Sequence, residues 1–147
     1  MSKGATIYTL GTSTRSAEEF LQLLKSFGME LVVDVRRFPT SRFPHFRREE
    51  LGALLSRTGI AYLYLGEELG GYRSGGYPAY VASDNFARGL GKLEEVGRGR
   101  KTAILCAERL PWRCHRRYIG EGLERRGWEV VHIIDERRWW QPGQAGR

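Results

Sequence analysis

The chain has 147 residues, 41% of them hydrophobic, and a formal net charge of +7 at pH 7. This length suffices for one domain with a buried core that needs no disulfide or structural metal. No apolar run approaches the ~20 residues of a membrane span, and the first residues lack the apolar segment of a signal peptide. We therefore expect a cytoplasmic protein with free thiols and no membrane partner, whose arginine excess favours an anionic small molecule or nucleic acid as partner.

Apolar and β-branched runs alternate with amphipathic ones along the chain. In chain order, strands are predicted at 6–10, 31–35, 61–65, 101–105 and 129–134, and helices at 16–28, 48–58, 83–96 and 111–126. The first helix has the clearest boundaries, because Ser16 and Glu19 have capping-box spacing and Gly28 is a typical stop. Two long connections remain: 36–46 interleaves arginines with aromatic residues, and 66–80 contains five glycines and is predicted to be a functional loop.

Strands separated by helices imply right-handed crossovers and a mainly parallel sheet. We predict a single α/β domain over residues 1–147, a three-layer α/β/α sandwich with a five-stranded sheet. The tail from about residue 139 contains glutamine, proline and glycine and is predicted to be flexible. Such sheets bind ligands at the carboxyl ends of their strands. The connections 11–15, 36–46, 66–80 and 106–115 should therefore meet at one edge.

Both cysteines lie in the segment 103–127, which is also rich in arginine. Cys106 follows a strand and precedes a helix, where nearby arginines favour the thiolate, so it is a candidate nucleophile or redox centre. Cys114 is a second thiol that can resolve an oxidised Cys106. His115 is a candidate general acid or base, and Glu108 adds a carboxylate to the predicted catalytic group. The alternative is a buried, inert cysteine beside a helix start that only fills space.

Six further residues are predicted to bind or surround an anion, and they are Ser13, Asp34, Arg36, Arg42, Gly70 and Arg116. Arg36, Arg42 and Arg116 form the predicted clamp, while Asp34 either anchors the following loop or faces the pocket. These residues predict an enzyme acting on an anionic, phosphate-bearing substrate, with no cofactor specified. Two alternatives stay open: a non-catalytic nucleotide or nucleic-acid binding module, and a metal-binding protein using Cys106, Cys114 and His115, although the C-x-x-C spacing is absent.

Taken together, these segments resemble the family of domain of unknown function 488 over about residues 7–134. The resemblance lies in LGTSTRSAEEFLQLL, VVDVRRFPTSRFPHF, the LGG turn at 69–71, and LCAE followed by CHR at 105–108 and 114–116. It implies an α/β fold and a shared site but no established reaction. Members usually carry histidine at the position of Thr12.

A more distant similarity is to rhodanese-like domains. It consists of an apolar strand ending in Asp-Val-Arg and a later strand that ends at a cysteine before an arginine-containing helix. The loop after Cys106 is longer than the anion loop of rhodaneses or tyrosine phosphatases, and Trp112 stands where the phosphatase arginine would be. Sulfur transfer and phosphoryl chemistry therefore enter by analogy alone.

Overall fold

The computed structural model describes residues 5–141 as a mixed α/β fold. The strands are β1 (Thr6–Gly11), β2 (Leu31–Asp34), β3 (Ala61–Tyr64), β4 (Thr102–Cys106), β5 (Glu129–Ile133) and β6 (Trp139–Trp140). The helices are α1 (Ala17–Ser26), α2 (Arg48–Arg57), α3 (Gly66–Leu69), α4 (Tyr77–Tyr80), α5 (Asp84–Gly97) and α6 (Arg116–Arg125). Short 3₁₀ turns occupy Pro44–Phe46 and Pro111–Arg113.

The sheet has the order β3-β2-β4-β1-β5-β6, and its first five strands are parallel. The predicted α/β fold with a mainly parallel sheet is confirmed, but the predicted count of five strands is wrong. The sixth strand pairs antiparallel with β5 across a short turn at residues 135–138, where the Ile134 N–H donates to the Arg138 carbonyl at 2.9 Å. Trp140 stacks on His132 across the two strands, at 5.3 Å between ring centroids. This strand lies at the start of the tail predicted to be flexible, and residues 142–147 lie outside the described part of the chain.

Two apolar clusters pack on opposite faces of the sheet, which gives the three layers. Successive residues of β2 point to opposite faces, as in any strand, and all four are buried. Val33 belongs to the cluster that includes Leu90 of α5 and Ile119 of α6, whereas Val32 belongs to the cluster with Leu24 of α1. None of the helices within 5–141 has the length and apolar character needed to cross a bilayer.

Most predicted helix boundaries hold, and the capping box at Ser16 and Glu19 is confirmed, with both of its hydrogen bonds formed. Two predictions need correction. The connection 66–80 contains the short helices α3 and α4, and the predicted helix 111–126 is interrupted. Cys114 has extended backbone angles, so it ends the 3₁₀ turn that Pro111 begins, and α6 starts only at Arg116.

The register of the parallel strands brings three chain segments to one edge. Gly11 lies opposite Cys106 across β1 and β4, and Asp34 lies opposite Leu105 across β2 and β4. The loops that leave these strand ends therefore meet at the carboxyl edge of the sheet, as predicted for ligand sites in α/β folds.

Candidate functional site

A pocket of about 650 Å³ lies at this edge. Three of the four predicted loops line it, and the residues are Arg36, Arg37, Phe38, Thr40, Gly71, Tyr72, Tyr77, Cys106, Ala107, Glu108, Cys114 and His115. A larger depression of about 810 Å³, between α1 and residues 135–138, is lined by charges of both signs without cysteine or histidine. We therefore place the candidate site in the pocket that contains both thiols.

Cys106 ends β4 and is 1% exposed, yet its side chain borders the pocket. Its Sγ lies 2.7 Å from the Sγ of Cys114 and 3.0 Å from Nη1 of Arg116. Burial by itself would raise the pKa of the Cys106 thiol. The hydrogen bond from Cys114, the charge and hydrogen bond of Arg116 and the backbone of Glu108 outweigh burial, so the pKa falls to about 7. About half of the Cys106 side chains are therefore thiolates at pH 7, and most are above it.

Arg116 is fully buried, and its guanidinium organises the loop between the two cysteines. Nη1 donates to the carbonyl of Glu108 as well as to Cys106, and Nη2 donates to the carbonyl of Arg109 at 2.9 Å. Trp112 occupies the position of the phosphatase arginine, but Arg116, ten residues after Cys106, supplies the contact to the thiolate.

The pKa of the second thiol, Cys114, moves in the opposite direction. Its hydrogen bond to Cys106 and its burial both raise the pKa of Cys114, so we assign Cys114 as the donor in the contact between the sulfurs. His115 Nε2 lies 3.0 Å from the carbonyl of Val35, which only accepts, so Nε2 carries the hydrogen. Nδ1 is then an acceptor 3.6 Å from Cys114 Sγ. Burial lowers the pKa of His115 and keeps this acceptor neutral.

The lowered pKa predicts how the rate of Cys106 alkylation depends on pH. Because the thiolate is the reactive form, the rate of modification by iodoacetamide should rise with pH to a plateau, with a midpoint at about 7. Cys114, with its raised pKa, should remain unmodified over the same range. Alkylation quenched at set times and analysed by peptide mass spectrometry measures the rate of modification at both cysteines. A midpoint near the ~8.5 of an ordinary thiol would contradict the prediction.

Asp34 and Arg36 form a buried ion pair behind the pocket. The carboxylate accepts from Nε and Nη2 of Arg36, both at 2.8 Å, and from the Tyr62 hydroxyl at 2.6 Å. Nη1 of Arg36 donates to the carbonyl of Phe46 at 2.7 Å. These contacts place Asp34 as the anchor of the loop that follows β2. The same contacts bind Arg36 to this loop, although its side chain also borders the pocket.

The mouth of the pocket is formed by aromatic residues of the two long connections, 36–46 and 66–80. Phe38 and Tyr72 are 59% and 84% exposed, with ring centroids 5.8 Å apart. Tyr72 has a φ of 60°, uncommon for a tyrosine, and its carbonyl accepts from Nη1 of Arg37 at 2.8 Å. The alternation of arginine and aromatic residues in 36–46 is a sequence signal for this surface, and Tyr72 lies in the glycine-rich connection predicted to be a functional loop.

The remaining predicted site residues are only partly brought together. Arg42 lies outside the pocket, with its guanidinium over the Phe43 ring, and the backbone of Ser13 bonds to Ala107 without its side chain lining the pocket. The carboxylate of Glu108 is exposed, and its carbonyl accepts a hydrogen bond from Arg116. Gly70 packs against Arg37 and supports the loop, while Gly71 lines the pocket. Their roles with substrate stay predictions.

The proposed metal ligands do not form a suitable group. Among the residues that the structure describes, no set of three or more histidine, cysteine, aspartate or glutamate side chains is placed to hold a metal ion. Cys114 contacts both Cys106 and His115, and Nε2 of His115 is bonded to the carbonyl of Val35.

Comparison with known proteins gives one match. The family model described as Domain of unknown function DUF488 matches residues 16–123, a span that includes α1, the 36–46 loop, both cysteines and most of α6. Neither curated proteins nor solved structures gave a match, so the similarity to rhodanese-like domains is not confirmed. Because the matched segment covers more than half of the sequence, the chain belongs to the DUF488 family.

Proposed function

We propose that this protein is a thiol–disulfide exchange enzyme in which Cys106 is the nucleophile and Cys114 the resolving thiol. The observation that carries the proposal is the contact of 2.7 Å between two free sulfurs whose pKa values move in opposite directions. A low-pKa thiolate beside a protonated second thiol is the arrangement that two-cysteine exchange requires.

The first step uses the thiolate. A substrate disulfide enters the pocket, and Cys106 Sγ attacks one of its sulfurs. A bond forms between Cys106 and that sulfur while the substrate S–S bond breaks, and the departing thiolate takes a proton from solvent. The product is a mixed disulfide on Cys106, and Arg116 then loses the anion that it contacts.

The second step uses Cys114 and His115. Because Cys106 no longer accepts the Cys114 proton, the remaining acceptor close to Cys114 Sγ is Nδ1 of His115, at 3.6 Å. Proton transfer to Nδ1 produces the Cys114 thiolate, which attacks Cys106 Sγ and breaks the mixed disulfide. The released substrate thiolate takes the proton from His115, so the protein ends with a Cys106–Cys114 disulfide. Every step is reversible, and the same groups serve in either direction.

Chemistry on a phosphate-bearing substrate has less support from these contacts. Of the predicted clamp, Arg36 is bonded to Asp34 and to Phe46, and Arg116 is bonded to two carbonyls and to Cys106. Arg42 lies outside the pocket, which leaves Arg37 as the arginine at its mouth. The described arginines therefore do not form a clamp facing the thiolate.

The proposal is tested by trapping the mixed disulfide. Cys114→Ser treated with excess oxidised glutathione should accumulate one glutathione on Cys106, because the resolving thiol is gone while serine keeps a hydroxyl donor. The wild-type protein should instead form its internal disulfide. Cys106→Ser should react more slowly, because burial still raises the pKa of Cys114 once its hydrogen bond to Cys106 is gone. Intact-protein mass spectrometry distinguishes the three products.

Two results would overturn the proposal. One is a stable glutathione adduct on the wild-type protein without an internal disulfide, which would show that Cys114 does not resolve Cys106. The other is equal reaction rates for Cys106→Ser and Cys114→Ser. If the protein is a nucleic-acid binding module, alkylation of Cys106 should leave its salt-dependent binding to oligonucleotides unchanged.

A further inference from the structure

Arg116 lacks the carboxylate partner that a buried arginine usually has. Its side chain is fully buried, and among the described side chains no aspartate or glutamate contacts it. Two nitrogens donate to carbonyls and to Cys106 Sγ, and Nε has no partner among the described residues. Within this part of the chain, the Cys106 thiolate is thus the negative charge in contact with a buried positive charge.

Oxidation removes that charge. When Cys106 is joined to Cys114, its sulfur is neutral, and the Arg116 guanidinium stays buried with only dipoles around it. An uncompensated buried charge is costly, so Arg116 destabilises the disulfide form and stabilises the dithiol form. The exchange equilibrium therefore shifts toward the reduced protein. A stabilised reduced form is what makes a protein disulfide a strong oxidant.

We infer that the Cys106–Cys114 disulfide is an oxidant whose substrates are dithiols, with Arg116 as the residue that sets this direction. The inference rests on the proposed exchange function and adds its direction and substrate class. One substrate thiolate attacks Cys106 Sγ and releases Cys114, and the second attacks the mixed disulfide and releases Cys106. Two electrons pass from the substrate to the protein sulfurs, and the substrate leaves as a disulfide.

The proton balance follows from the two thiols. The substrate brings two protons, of which one ends on Cys114 while the other goes to solvent, because Cys106 remains a thiolate above pH about 7. Reduction of the protein by a thiol therefore becomes more favourable as the pH rises from about 7 toward the ~8.5 of an ordinary thiol, by up to tenfold per pH unit. Below the pKa of Cys106 this dependence disappears.

The test measures the equilibrium with reduced and oxidised glutathione. Wild type, Arg116→Gln, Arg116→Lys and Arg117→Gln are equilibrated in buffers of varied glutathione ratio, quenched with acid, alkylated and weighed by mass spectrometry. Arg116→Gln should favour the disulfide at least ~10-fold more than wild type, which corresponds to ~30 mV. Arg116→Lys keeps the charge and should lie between them. Arg117→Gln removes a neighbouring charge without a contact to Cys106 and should match wild type.

The outcomes separate this inference from the proposed function. If the wild-type protein forms no internal disulfide even in the most oxidising buffer, exchange itself is wrong. If the disulfide forms but Arg116→Gln and wild type share one equilibrium constant, exchange stands and the inference fails. Should Arg116→Gln not fold, because the carbonyls of Glu108 and Arg109 lose their donor, the pH dependence of the wild-type equilibrium decides. A flat profile between pH about 7 and ~8.5 would overturn the inference.

Discussion

Replacing Asp34 by alanine should lower the free energy of unfolding by about 3–5 kcal/mol, the range measured when one partner of a buried ion pair is removed. Asp34 is 0% and Arg36 5% exposed, so the guanidinium left behind has little access to water. It would lose two hydrogen bonds of 2.8 Å, and the Tyr62 hydroxyl would lose its acceptor. Urea denaturation, compared at equal slope, measures the change.

The double variant Asp34→Ala with Arg36→Met is the matched control. It removes both charges, so it should recover a large part of the stability that Asp34→Ala loses. If the double variant is no more stable than Asp34→Ala, the ion pair is not the source of the effect.

The layered fold is predictable from the sequence because its cause is local. Alternating strand and helix patterns imply parallel crossovers, and the buried run at β2 follows from a strand covered on both faces. The sixth strand was missed because Trp139–Trp140 is too short to show a period. It pairs with β5 through a tight turn, in which the Asp135 carboxylate accepts from the backbone N–H groups of Arg137 and Arg138, both at 2.9 Å. The stacking of Trp140 on His132 across the two strands depends on the tertiary structure and leaves no trace in the local pattern.

The thiol pair was predictable in kind but not in geometry. The sequence places Cys106 at a strand end and Cys114 before a helix, and parallel topology brings both to the carboxyl edge. Which arginine reaches the thiolate depends on the path of the intervening loop, and neither Arg36 nor Arg42 does so. Nor does the sequence show that the carbonyl of Val35 fixes the hydrogen of His115 on Nε2, because every residue has a backbone carbonyl.

That loop path depends on Gly11, and Gly11→Ala should therefore damage the fold and the site together. A Cβ at this position would lie 1.9 Å from the Glu108 carbonyl oxygen and 2.9 Å from Nη1 of Arg116. The carbonyl cannot retreat without disturbing its hydrogen bond from Arg116, so the loop must shift. We expect the free energy of unfolding to fall by at least the ~1–3 kcal/mol typical of overpacking. The pH midpoint for Cys106 alkylation should rise, because Arg116 moves with the loop.

Gly91→Ala provides the matched control, since Gly91 lies inside α5 with nothing within 4 Å of the added Cβ. Alanine there should stabilise the protein by roughly 0.5–1 kcal/mol through helix propensity and leave the alkylation midpoint at about 7. Denaturation and alkylation profiles of the two variants then separate a general effect of glycine substitution from one confined to the loop.

If Gly11→Ala were as stable as wild type with an unchanged midpoint, the loop would not need this close approach. The Arg116 contact would then not depend on the packing of Glu108 over Gly11, and the thiolate would have to be stabilised in another way.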